Sequence, residues 1–444
     1  MNTKTIRWLY HELPQWVADG ILTPDAAERL RAQYGPLNPV RPARLAMIVL
    51  GIFGAVLIGA GIILVLAHNW EDLSRPVRTG LSFLPLVLAQ GLAAWVRLKR
   101  SQSQAWCEGA SALLFLMIGA SISLVAQTYN ISGDLPQFLL TWALLGLPLL
   151  YLFDALVPAL FYLWGITVWA GYLRFEHGEN AGYWALVLVM LPQLVRWVHA
   201  GRYHIRPTLL LWALCTSISI AAGMTLSPDL PGLWILLYTG LFALMFLAGE
   251  CWFRDSDGFW SRPLRHVGAA GILILSLMLT YESPWHAIEL HGYGRYGSYE
   301  SILSCQSLPG ITISSFMLLA AVTLLVMSLR RKTPLALLFG VAPILAVIGH
   351  GLASYSTEGL TAAALFNLYL LVAGLWMLIS GLRGGKQGQM NVGLLAVAGL
   401  MIARFFDSDL SFLVRGLVFI ALGVAFLLAN LLLLRRKGIR HEQT

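Results

Sequence analysis

The feature that most constrains this chain is a train of apolar runs, each close to twenty residues long, that begins at Leu45 and continues to the C-terminal tail. About twenty apolar residues in a helix cross the ~30 Å hydrocarbon core of a bilayer. Within that core every backbone N–H and C=O must find an internal partner, which helices provide. The runs lie at 45–67, 79–96, 109–128, 135–153, 156–173, 182–199, 207–226, 232–250, 266–281, 310–329, 333–354, 360–382, 389–406 and 410–434. The expected fold is therefore all-α: a polytopic transmembrane bundle of about fourteen spans. The division between the fourth and fifth rests only on Asp154 and Ala155.

Composition agrees, since 58% of the 444 residues are hydrophobic and only 12% charged, where a soluble domain carries roughly 25% charged residues. The basic excess, 30 Lys+Arg over 22 Asp+Glu, is dispersed in short clusters between apolar runs. It forms no basic patch of the kind that binds nucleic acid, so the lipid bilayer is the expected partner. The four cysteines, Cys107, Cys215, Cys251 and Cys305, have no metal-ligand spacing. No cleavable signal peptide is expected, because the first apolar run starts only after some forty mixed residues.

Three segments follow. Residues 1–44 read as a small cytoplasmic helical hairpin, 45–434 as the bundle and 435–444 as a basic cytoplasmic tail. In the hairpin, Trp8, Leu9, Leu13, Trp16 and Val17 recur at helical spacing over Thr3–Ala18, and Asp19-Gly20 breaks the helix. Thr23 then precedes Pro24, with Asp25 and Glu28 in the next first turn, as at a helix start. Docking on the bundle, lying at the lipid interface and binding a protein partner all remain open for this hairpin.

Basic residues give the orientation. Alternate loops carry 24 of the 30 Lys and Arg, and the opposite set only six: Arg75, Arg78, Arg174, Arg295, Arg404 and Arg415. The basic loops belong on the cytoplasmic side, together with both termini. A faint internal repeat pairs ASISLVAQTYNISGDL (Ala120–Leu135) with TSISIAAGMTLSPDL (Thr216–Leu230), four spans apart and therefore in one orientation.

Polar residues inside or at the ends of spans are costly and mark candidate sites. They gather at the outer ends of odd-numbered spans: His68, Asn69, Trp70 and Asp72 after the first, Gln127 and Tyr129 at the third, Arg404 and Asp407 at the thirteenth, with Arg415 a turn inside the fourteenth. One reading joins them in an outward-facing polar pocket. The structural alternatives are an aromatic belt for Trp70 and Tyr129, a capping role for His68, and an ion-pair staple between Arg415 and Asp407 or Asp409. Gln90, Asn367 and Asn430 are expected to hydrogen-bond between spans, and Gly51, Ala55 and Gly59 to let the first span pack closely. The outer loop 282–309, rich in His and Tyr, is a cover for a cavity or a plain loop. No Walker loop, nucleophile elbow, HExxH, selectivity filter or voltage-sensor arginine run is present. The sequence therefore calls for no cofactor and no metal, and names no catalytic residue.

Four stretches carry a family likeness: ELPQWVADGILTPDAAERL near the N-terminus, AHNWEDLSRPVR after the first span, AQTYNISGDLP after the third, and RFFDSDLSFLVRGLVFIALG near the C-terminal end. With these the chain resembles the DUF2157 family of prokaryotic membrane proteins. The resemblance implies a prokaryotic inner membrane and no activity. Three functions fit: a transporter or flippase-like protein for a lipid-linked or amphipathic envelope precursor, a non-transporting scaffold or assembly factor, and a membrane-embedded enzyme with an outward polar pocket.

Overall fold

A computed structural model describes residues 3–34, 73–177, 182–224, 232–254, 258–286, 288, 308–330, 334–355, 359–406 and a few helical positions between 413 and 424. The chain divides into two compact units, residues 1–78 and 79–444.

In the first unit, α1 (Thr3–Ala18) has the bounds that the sequence predicts, and α2 (Pro24–Tyr34) starts at the predicted Pro24. Gly20, at φ +71°, turns the chain between them, in a left-handed conformation that glycine adopts without strain. The N–H groups of Ile21 and Leu22 return to the Trp16 carbonyl, and the Thr23 carbonyl accepts from Ala26 and Ala27 to open α2. Leu13 and Ala27 are buried. Arg78 closes the described part of this unit by donating from Nε to the Leu73 carbonyl at 2.8 Å.

The second unit is a succession of helices: α3 (Arg75–Lys99, from Thr79 onward), α4 (Gln104–Tyr129), α5 (Leu135–Phe153), α6 (Leu156–His177), α7 (Gly182–Gly201), α8 (Ile205–Met224), α9 (Leu233–Trp252), α10 (Pro263–Met278), α11 (Leu308–Arg330), α12 (Pro334–Gly340), α13 (Ala342–Tyr355), α14 (Leu360–Gly384) and α15 (Gln387–Phe405). They reproduce twelve of the fourteen expected spans. The first, with Gly51, Ala55 and Gly59, lies outside the described residues, as does the last but for isolated helical positions. The helix expected at 266–281 runs instead from Pro263, whose fixed φ suits a first helical position, to Met278. The eleventh span is split at Val341, just before Pro343, whose ring cannot accept a continuous helical ladder. Eleven of the described helices, with the α12–α13 pair taken as one, are long and apolar enough to cross a membrane.

Two cores organise the unit. One is built from α3 to α8 and centres on Leu150, Tyr162, Leu163, Ile166, Tyr183 and Leu210. The other is built from α9 to α14 and centres on Phe246, Leu279, Trp285, Phe339 and Phe366. Cys215 and Ala222 of α8 meet Leu237, Leu241 and Met245 of α9 in a smaller cluster that joins them. Lipid offers no hydrophobic drive between helices, so close backbone approach has to supply the packing. At Gly268 a Cβ would lie 2.5 Å from the Phe246 nitrogen and 2.6 Å from the Phe242 carbonyl oxygen, so the close approach of α10 to α9 at this point requires glycine. At Gly393 a Cβ would lie 2.5 Å from the Leu378 nitrogen, which fixes α15 against α14 in the same way. Large apolar side chains such as Leu98, Leu188, Leu319 and Leu395 stay exposed, as lipid contact requires.

Candidate amphiphile groove and the surrounding polar sites

The AQTYNISGDLP stretch is first a piece of capping grammar. Asn130 ends α4 in a left-handed conformation (φ 49°, ψ 42°), and the next N–H, of Ile131, bonds the Ala126 carbonyl at 2.9 Å. Asp134 then caps α5, its carboxylate accepting the Gln137 N–H at 2.9 Å, with Pro136 in the first turn. Tyr129 and Thr79 share a hydroxyl hydrogen bond of 3.0 Å, which ties this end of α4 to α3. Deeper, Ser121 donates to the Ser82 carbonyl at 2.7 Å, and Trp142 donates to the Phe115 carbonyl at 2.7 Å. Each bond crosses to a neighbouring helix and holds it in place.

Between α3, α4 and α5 these ties leave a groove of about 950 Å³. Its mouth, at the α4–α5 turn, sets Asp134 and Gln137 beside Ile131, Gly133 and Leu135. Its walls are apolar, with Phe83, Leu86, Ile118, Ile122, Phe138 and Leu145, interrupted by Gln90, Ser123 and Thr141. Leu145 is ten residues into α5, so the groove descends about 15 Å, half of a bilayer's hydrocarbon core. A mouth that carries a carboxylate and an amide, over an apolar shaft, matches a molecule with a polar head and a hydrocarbon tail. Gln90, expected from the sequence to hydrogen-bond between spans, is exposed and lines this groove.

Of the nine outer-end candidates, His68, Asn69, Trp70, Asp72, Asp407 and Arg415 lie outside the described residues. Gln127 and Tyr129 stand at the end of α4, next to the groove-lining Ala126. Arg404 is half-buried at the end of α15. It donates to the Thr280 hydroxyl at 3.1 Å, and its guanidinium lies 4.5 Å from the centre of the Tyr281 ring. Tyr281 in turn donates to the Ala403 carbonyl at 3.1 Å. Asn367 bridges helices as expected, donating to the Thr280 carbonyl at 3.0 Å. Trp285, in the outer loop 282–309, is fully buried; its indole N–H reaches the Leu279 carbonyl at 3.0 Å and its ring packs on Phe366.

A denser polar site lies at the end carrying the basic loops. The Glu108 carboxylate accepts the backbone N–H groups of Leu156 and Val157, each at 2.9 Å, and so caps α6 from α4. Asp154, left-handed at φ 51°, accepts from Gln193 at 2.6 Å, Trp197 at 2.8 Å, Arg196, and Arg206 at 2.9 Å. Partial burial works against the Asp154 charge, but hydrogen bonds from Trp197, Arg196 and Gln193 and the Arg196 charge outweigh it, so its carboxyl is held below the ordinary value. These contacts join α4, α6, α7 and α8, which makes the cluster a brace. Its signal in the sequence is the rarity of acids at a basic end: Glu108, Asp154 and Glu250 stand out there. Among the described residues no group of His, Cys, Asp and Glu could hold a metal ion.

No curated protein and no solved structure matches the chain. Residues 14–159 match the family model described as "Predicted membrane protein (DUF2157)", a stretch that contains Glu108, Asp154 and every residue lining the groove. The chain is a multi-pass membrane protein, and over residues 14–159 it is similar to the DUF2157 family.

Proposed function

We propose that the protein is a transporter or flippase-like protein of the prokaryotic inner membrane, with both termini cytoplasmic, that handles a lipid-linked or amphipathic envelope precursor. The observation that carries this reading is the groove between α3, α4 and α5, with Asp134 and Gln137 at its mouth, largely apolar walls and a depth of about half a bilayer. Three uncharged polar side chains, Gln90, Ser123 and Thr141, give a passing headgroup hydrogen-bonding partners without a buried charge. Asp134 and Gln137 at the mouth suit hydroxyl- or amine-bearing heads. The orientation follows from the 24-to-6 division of basic residues.

The test is lipid movement in vesicles. The full-length protein is reconstituted with a phosphatidylethanolamine bearing a fluorophore on its acyl chain, and dithionite is added outside. The expected result is bleaching well beyond the outer leaflet's share, slowed by Ser123→Trp or Thr141→Trp in the groove wall. Bleaching that stops at the level of protein-free vesicles contradicts the proposal.

A further inference from the structure

A second cavity, of about 400 Å³, lies where α9, α10, α12, α14 and α15 converge at the end that carries the basic loops. Glu250, Arg254, Arg262, Arg265, Lys386 and Gln389 supply its charged and polar walls. Arg265 and Glu250 form an ion pair at 2.9 Å, which leaves three cations facing the cavity with no further carboxylate among its described lining residues.

Two features of this cavity point to a ligand. First, Arg262 is 7% exposed. One of its terminal nitrogens donates to the Arg254 carbonyl, yet its Nε is buried without a hydrogen-bond partner. Leaving such a donor unmet is costly, so a guanidinium buried beside a cavity calls for an acceptor inside it. Second, α10 and α15 both begin here, with Arg262 and Lys386 at their N-cap positions, and neither supplies a side-chain cap. Helix starts favour Ser, Thr, Asp or Asn, and their positive dipole end disfavours a cation. Two cations at two uncapped helix starts, lining one cavity, are accommodated by an anion that meets both charges together.

We propose that this cavity binds a phosphate-bearing group, a mono- or diester, held by Arg262, Arg254 and Lys386, at the end where α10 and α15 begin. The site is independent of the groove and of its proposed role. The phosphate comes either from an anionic phospholipid headgroup or from a soluble phosphate ester.

The test uses the full chain in neutral detergent, titrated calorimetrically with glycerol-1-phosphate, and the full chain in phosphatidylcholine nanodiscs doped with phosphatidylglycerol, followed by native mass spectrometry of retained lipid. Binding of either probe supports the proposal. Retention of phosphatidylglycerol alone assigns the phosphate to lipid, and binding of the soluble ester assigns it to solution. Lys386→Gln and Arg254→Gln, both at exposed positions, are expected to weaken binding at least tenfold, while Arg97→Gln/Arg100→Gln elsewhere at the same end leaves it unchanged. Equal losses in both sets would reduce the effect to general surface charge and overturn the site, as would binding of neither probe. Binding by Asp255→Asn/Asp257→Asn but not by the parent would mean that loop carboxylates fill the cavity, which also overturns it.

Discussion

Glu108 and Val157 meet across a junction between two helices: Oε2 of the carboxylate takes the Val157 N–H at 2.9 Å, and Oε1 takes that of Leu156 at the same distance. A side chain from α4 thus satisfies the start of α6, 48 residues away in sequence. Glu108→Ala leaves two N–H groups unmet in a half-buried place and is expected to destabilise the protein by about 2 kcal/mol. Glu108→Gln, which keeps one acceptor, is expected to lose about half of that. Melting in detergent, followed by intrinsic fluorescence, measures both; an alanine variant that melts like the parent contradicts the cap.

Asp154 carries a pH signature. Its carboxyl sits below the ordinary value of 3.8, because hydrogen bonds and the Arg196 charge outweigh the effect of burial. A group lowered in the folded state contributes stability that is present above its unfolded value and lost as pH falls through its folded one. The melting-temperature gap between the parent and Asp154→Asn is therefore expected to be wide at neutral pH and to close below pH 3.8. Asn tolerates the left-handed backbone at this position, so the comparison isolates the charge. A gap independent of pH would contradict it.

Glycines separate close packing from open surface. Gly268→Ala places a Cβ against the backbone of Phe246 and Phe242 and is expected to cost at least about 3 kcal/mol. Gly91, with nothing within 4 Å of a built Cβ, should gain about 0.5–1 kcal/mol on replacement by Ala. Equal effects at the two positions, read as melting temperature in detergent, would contradict the α9–α10 contact.

Orientation has a direct readout. In a background without native cysteines, an impermeant maleimide applied to intact cells is expected to label Ser132→Cys, in the exposed turn between α4 and α5, and not Ser101→Cys, in the exposed turn between α3 and α4. The reverse pattern would invert the topology drawn from the basic loops.

The elements are legible in the sequence and the contacts between them are not. Span length and polar breaks locate α3 to α15 within a few residues, because a bilayer demands a fixed helix length. The shift of α10 to Pro263 and the break before Pro343 follow from proline's geometry, which a count of apolar residues passes over. Their rarity at a basic end singles out Glu108 and Asp154, but their partners, Leu156, Val157, Gln193 and Arg206, become neighbours only once α4, α6, α7 and α8 pack. Nor does spacing place Arg404 beside Thr280 and Tyr281, more than 120 residues earlier. The groove is equally silent, since Leu86, Ile118 and Leu145 look like any lipid-facing residues until three helices are set side by side.

The most direct measurement of the central claim is where a lipid tail rests. The protein is reconstituted with a phospholipid carrying a photoactivatable diazirine on one acyl chain, irradiated, digested and mapped by mass spectrometry. The predicted result is adducts concentrated on Leu86, Ile118 and Leu145 in the groove and lost from them in Thr141→Trp, with exposed Leu319 and Leu368 on other helices labelled at an unchanged background. Even labelling of groove and outer surface, unaffected by that substitution, would contradict an amphiphile site between α3, α4 and α5.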